Sequence, residues 1–135
     1  MILSPENSEN NEDPHPYWYA RILGIYHVNV RYVGPDCTIS RDPQRMEFLF
    51  VRWFGRELTP KPGWKAKRLL SLGFVPGNDA SAFGFLDPAQ VIRSVHLIPA
   101  FEWGHTTKYL SEKQSAIARG VNEPDDDWQF HYVAM

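Results

Sequence analysis

The sequence predicts a mainly β protein, built as a small bent antiparallel sheet or a partly open barrel with one or two short helices. Three observations predict it. The stretch WYARILGIYHVNVRY, residues 18–32, alternates with period two. Its even positions (Trp18, Ala20, Ile22, Gly24, Tyr26, Val28, Val30, Tyr32) are uncharged, while Arg21, His27, Asn29 and Arg31 fall on odd ones. Alternation of this kind marks a strand with one buried face. A second run, MEFLFVRWFGRE, is apolar on both faces from Met46 to Phe54, broken by Glu47 and Arg52. A strand covered on both sides reads in this way. The rest of the chain consists of short segments separated by turn formers, which suits a bent antiparallel sheet better than a parallel α/β one.

The elements follow in order. Residues 1–16, MILSPENSENNEDPHP, are polar from Ser4 onward and form a flexible leader, because they have little apolar area to bury. Residues 17–135 then make a single β-rich domain. The first strand is long, and a bend near Gly24 or His27 divides it into two pairing segments. Gly34-Pro35-Asp36 and Asp42-Pro43 supply turns before the second strand. LTPKPGWKAKRLL opens on prolines and ends on a basic segment. SLGFVPGNDASAFGF, with Gly73, Gly77 and Gly84, reads as an irregular connection. Asp87 is placed to cap a short helical turn that starts at Pro88. VHLIPAF is a strand with Pro99 at an edge or bulge, and TTKYLSEKQSAIARG is weakly helical. NEPDDD is an acidic loop, and WQFHYVAM closes the chain as a strand with Trp128, Phe130 and Tyr132 on its buried side.

Composition narrows the function. With 135 residues, 43% of them hydrophobic, the chain can bury one core. A formal net charge of −2 supplies no global basic field for unspecific nucleic-acid binding. No apolar run reaches the roughly 18–20 residues of a membrane span. The start of the chain lacks the basic and apolar regions of a signal peptide. The one cysteine, Cys37, can form no intramolecular disulfide and points to a reducing, intracellular setting.

Chemistry-bearing motifs are few. No phosphate-binding glycine loop and no nucleophile elbow is present, and the five histidines (His15, His27, His96, His105, His131) lack metal-ligand spacing. Asp125, Asp126 and Asp127 are the densest carboxylates, but adjacent side chains diverge in an extended chain, so they read as a solvated loop. The expectation is a non-enzymatic protein with no cofactor and no metal.

The 14% aromatic content supplies the candidate sites. Aromatics at strand ends can cage a methylated lysine or stack on bases. Tyr17 and Tyr19 share a face with Arg21 and are expected to be exposed; with Trp53 they are the candidates for peptide binding. Positive charge concentrates in mid-chain, at Arg41, Arg45, Arg52, Arg56, Lys61, Lys65, Lys67 and Arg68, and acidic residues crowd the two ends. Lys65, Lys67 and Arg68 are the candidates for nucleic-acid contact.

WYARILGIY followed by MEFLFVRWFGRE resembles the core of bromo-adjacent homology (BAH) domains. The matching residues are Tyr19, Ala20, Arg21, Ile22 and Ile25, then Val51, Arg52, Trp53, Phe54, Arg56 and Glu57. QVIRSVHLIPAF sits where those domains place another short segment. More widely, residues 15–135 are similar to the C-terminal region of Plavaka- or KDZ-type transposon proteins of mushroom-forming (Agaricomycete) fungi. HPYWYARILGIYHVNV, GWKAKRL, FGFLDPAQVIRSVHLIPAF and DDDWQFHYVAM carry that likeness. The resemblance implies a β-barrel binding module in a chromatin, nuclear context. Its partner would be a histone tail or other protein peptide, with DNA or RNA as the alternative.

Overall fold

The computed structural model describes residues 1–4, 15–34, 42–57 and 68–134. Nine strands and one α-helix are described. They are β1 (Ile2–Leu3), β2 (Tyr17–Val30), β3 (Gln44–Glu57), β4 (Ser71–Phe74), β5 (Phe83–Leu86), β6 (His96–Pro99), β7 (His105–Thr106), α1 (Glu112–Ala118), β8 (Asp127–Trp128) and β9 (His131–Ala134). Seven strands form one antiparallel sheet in the order β1-β2-β3-β4-β9-β6, and β5 also pairs with β3. The sheet curls through 193°, an open half-barrel, as the sequence predicts. β7 and β8 make a separate two-stranded pair.

β2 and β3 are antiparallel neighbours along almost their whole length, from Tyr19↔Phe54 to Val30↔Gln44. The expected bend is a register shift: Leu23 is left over between the pairs Ile22↔Val51 and Gly24↔Phe50. One extra residue in one strand twists the ladder and re-aims the side chains beyond it. Gly24 follows the bulge, and the Tyr26 ring folds over it, so that an added Cβ would meet the ring at 2.5 Å.

The other edge of β3 is shared. β5 lies beside Leu49–Arg52 and β4 beside Phe54–Glu57. β9 then ties β4 to β6, so the end of the chain is an interior strand. Pro99 sits in β6, an edge strand where its missing N–H costs little. Asp87 accepts a hydrogen bond from Ala89 N and caps the 3-10 turn Pro88–Gln90. Ser111 and Gln114 form a capping box that starts α1.

Alternation along β3 separates two clusters. Phe54 packs with Tyr19, Leu72, Phe74 and Val133 on one face. Leu49 and Val51 pack with Ile2 and Leu86 on the other, with Trp53 against them. The start of the expected leader is therefore anchored: Ile2 is buried and β1 pairs with Trp18 and Tyr17. Residues 5–14 of that leader lie outside the described residues, as do the expected turn formers Pro35 and Asp36.

Several expectations need correction. Ile22, Tyr26 and Val28 are 50, 50 and 42% exposed, not buried, because among the described residues no element covers them. Gly73 and Gly84 lie inside strands β4 and β5, not in one loop. In the closing strand Val133 is the buried side chain, while Trp128, Phe130 and Tyr132 are half-buried and pack onto the body as expected, Trp128 against Phe101 and Phe130 against Trp103. The register Leu97↔Val133 turns that position inward.

Leu72 is fully buried in the cluster around Phe54. Leu72→Ala is expected to lower stability by about 2–5 kcal/mol, read from urea unfolding. A loss below about 1 kcal/mol would show that the cluster does not hold β4 and β9 together.

Candidate functional site: a charged cleft beside an aromatic shelf

One face of the sheet carries Phe54, Arg52, Phe50, Phe48 and Met46 from β3, since alternate residues of a strand share a face. Its two halves differ. Over Phe54 lies an open cleft of about 550 Å³, lined also by Phe74, His131, Glu123, Asp126, Asp127 and Trp128. Phe48 and Phe50 are half-buried, and the rings they meet, Tyr26, Phe83 and Phe85, belong to the same sheet.

The cleft is organised by ion pairs. Arg52 is fully buried and donates from Nη1 and Nη2 to the two carboxylate oxygens of Asp127, at 3.2 and 2.9 Å. Arg119, just past α1, reaches the same carboxylate at 2.8 Å and is also buried. The Arg52 guanidinium lies 3.6 Å from the centre of the Phe74 ring, a cation–π contact in a dry setting. Burial pulls the Arg52 pKa below its ordinary value, and the hydrogen bonds and charge of Asp127 oppose that shift. Two further pairs line the cleft: Arg21 with Glu123 at 2.5 Å and His105 with Asp126 at 3.0 Å, both partly exposed. Ser115 Oγ donates to Asp125 at 3.3 Å. Each carboxylate of the acidic segment thus has a donor from a different part of the chain.

Asp127 corrects the sequence reading, which places it in a solvated loop. Its pairing with two guanidiniums compensates the desolvation of the charge. Arg52 likewise leaves the expected basic face for the interior.

His131 lies edge-on to Phe54 and Phe74, at 5.5 and 5.9 Å between ring centres. Its Nδ1 is buried and has no hydrogen-bond partner among the described residues. Burial lowers its pKa, and the nearby Asp127 charge only partly opposes this. Among the described residues, no group of three or more His, Cys, Asp or Glu side chains is placed to hold a metal ion.

The shelf continues the same face. Phe83 stands opposite Arg52 and Phe85 opposite Phe50, so the shelf begins where the ion cluster ends. Phe50 stacks on Phe83 and meets Phe85; Phe85 meets Phe48 edge-on, and Phe48 stacks on Tyr26. Met46 and Val28, a cross-strand pair, extend it outward. Phe85 is 72% and Met46 55% exposed. Five rings in contact, one of them almost bare, exceed what scattered surface hydrophobics explain.

The predicted site residues do not converge on this face. Tyr19 is 2% exposed and belongs to the core, so its expected exposure is overturned; its alternation with Arg21 puts it on the cleft face under covering strands. Tyr17 is half-buried against the same cluster. Trp53 lies on the opposite face, edge-on to Trp18, with its indole against Gly84, where an added Cβ would meet Nε1 at 2.9 Å. Of the nucleic-acid candidates, Arg68 is exposed, and Lys65 and Lys67 lie outside the described residues. Arg45 is paired with Glu47 at 3.1 Å. Sequence reasoning missed Phe83 and Phe85. Their signal was the FGF repeat of an apolar residue around a glycine, which is a strand face of period two.

The chain matches no protein-family model, no curated protein and no solved structure. No helix among the described residues is long and apolar enough to cross a membrane.

Two outcomes follow from the cleft. Asp127→Ala leaves two buried guanidiniums without their carboxylate and is expected to cost about 3–5 kcal/mol in urea unfolding. Replacing Arg52, Arg119 and Asp127 together by apolar residues of similar volume is expected to recover most of that loss. The second concerns pH. The folded-state pKa of His131 lies below its unfolded value of 6.5, so the unfolded chain binds the proton more readily. This contribution to stability is fully present above 6.5 and is lost as pH falls through the depressed pKa. His131→Gln should flatten that part of the profile, measured by urea midpoints between pH 7 and about pH 5.

Proposed function

We propose that this protein is a non-enzymatic protein-interaction module that docks an extended basic peptide along the cleft and shelf. One observation carries the reading: a bare aromatic shelf and a carboxylate-rich rim lie end to end on one face of a curled sheet. An uncovered set of contacting rings suits an apolar or aromatic peptide side chain, since such rings dominate interface energetics. The rim beside it suits a cation. Glu123, Asp126 and Asp127 line the cleft with Arg21 and Arg119, three carboxylates to two guanidiniums. Trp128 lines the same cleft, and an aromatic face next to carboxylates is the chemistry that holds an alkylated ammonium. The resemblance of β2 and β3 to the core of BAH domains supports a chromatin setting, with a histone tail as the peptide, in a protein of fungal transposon descent. The binding residues this reading assigns are Phe48, Phe85, Glu123 and Asp126, in place of Tyr17, Tyr19 and Trp53.

The test is an array of unmodified and lysine-methylated histone-tail peptides, run beside short DNA and RNA duplexes at two salt concentrations. Phe85→Ser removes the most exposed ring and is expected to weaken peptide binding at least tenfold with unchanged near-ultraviolet circular dichroism. Retention of duplex but of no peptide would replace this reading with nucleic-acid binding. In that case, changing Lys65, Lys67 and Arg68 to Ala should flatten the log–log salt slope by roughly 0.9 per lost phosphate contact. No retention of any probe at about 50 mM salt, where charge attraction is least screened, would remove both readings.

A further inference from the structure

We infer that β2 is also a self-association edge, at which two copies of the chain join their sheets antiparallel about His27. This goes beyond peptide docking and does not depend on it, because edge pairing leaves the cleft face open.

The first ground is an unpaired ladder. β3 covers one side of β2 throughout, but β1 covers the other side only at Tyr17 and Trp18. Among the described residues no strand pairs with that outer side from Ala20 to Val30. Such an edge presents a row of backbone donors and acceptors to any second strand. The second ground is missing protection. Edge strands are normally blunted by lysine, proline or another charge. Between Arg21 and Arg31 this edge carries no formal charge and no proline. Ile25 there is 75% exposed, and Tyr26, Val28 and Val30 are 37–50% exposed.

The third ground selects a second copy of this strand. Beyond the bulge at Leu23, the regular stretch runs from Gly24 to Val30. Full antiparallel overlap of that stretch with itself is possible in one register only, the one centred on His27. It sets Tyr26 against Val28 of the other copy, Gly24 against Val30, Ile25 against Asn29 and His27 against His27. Opposed residues share a face in an antiparallel pair, so Tyr26 and Val28 meet on the shelf face, while the other face pairs His27 with itself and Ile25 with Asn29, with no charge on either. Arg21 and Arg31 do not oppose each other: in the same frame Arg31 falls beside Leu23. Shifting the centre to Tyr26 would put Arg21 against Arg31 at both ends, which like-charge repulsion disfavours. The pairing is isologous, as closed twofold dimers require. It also brings the two aromatic shelves side by side through Tyr26 and Val28.

The twofold position of His27 supplies the experiment. His27 is exposed, so substitution there should not disturb folding. His27→Lys or His27→Glu places two like charges face to face at the axis. A mixture of the two variants places opposite charges there. Sedimentation equilibrium of the full chain, with a monomer mass of 15.6 kDa, reads the result. Wild type is expected as a concentration-dependent dimer, each single variant as a monomer, and the equimolar mixture as a dimer again. A wild type that stays monomeric up to about 200 μM, far above the micromolar range of specific association, would overturn the inference. Single variants that remain dimeric would overturn it too, by placing the contact elsewhere. A mixture that stays monomeric would overturn the His27-centred register. None of these outcomes involves peptide binding, so the two readings fail separately.

Discussion

Asp127 is the constraint on which the rest of the structure depends. Its carboxylate ties the middle of β3, through Arg52, to the end of α1, through Arg119. The acidic segment before it makes further attachments, to β2 through Arg21–Glu123 and to β7 through His105–Asp126. A half-barrel of this size has an open side that its short strands cannot close. Here a string of carboxylates is tied to β2, β3, β7 and the end of α1 by ion pairs. The arrangement carries a risk as well as a benefit: removing one partner strands a buried charge, while the intact cluster contributes little net stability over an apolar core. Its effect is to hold one segment in one position across the sheet.

That position divides the sheet face in two. Below the acidic segment Phe54, Phe74 and His131 pack with rings in contact and line the cleft. Beyond it the same apolar alternation continues through Phe50, Phe48 and Met46, and among the described residues no further segment lies over it. The uncovered half is therefore a continuation of the core, with the same physical demand for burial. Burial of apolar area is worth about 25 cal/mol per Å², so a surface of this kind favours a partner wherever one fits. The bulge at Leu23 matters in the same way. It moves the even positions of β2 from the face of Val51 to that of Phe50, so that Gly24, Tyr26 and Val28 stand opposite Phe50, Phe48 and Met46.

Much of the fold was legible because its signals are local. Alternation in residues 18–32 predicted β2, the two-sided run predicted β3, and Asp87-Pro88 predicted the capped turn, since each depends only on neighbours a few residues away. The edge placement of Pro99 followed from a missing N–H. Tyr19 shows where local signals stop. Its period put it correctly on the face of Arg21, but period two cannot say whether a face is covered. Phe83 and Phe85 were passed over because four-residue strands between glycines resemble loops until a partner strand defines them. Asp127 was read as solvated because its compensating charges lie far along the chain, at Arg52 and Arg119.

The sequence by itself determined that β2 and β3 are long strands of one mainly β sheet and that Asp87-Pro88 starts a capped turn. These follow from backbone geometry and side-chain polarity, both of which act over a few residues. Only the tertiary structure decided which half of the apolar face is covered, that Arg52 and Asp127 are buried as a pair, and that Tyr17, Tyr19 and Trp53 are placed apart from the open surface. Those outcomes depend on contacts between residues as many as 75 positions apart, as for Arg52 and Asp127. Burial is a property of what lies opposite a residue in space, and no local pattern encodes the opposite wall.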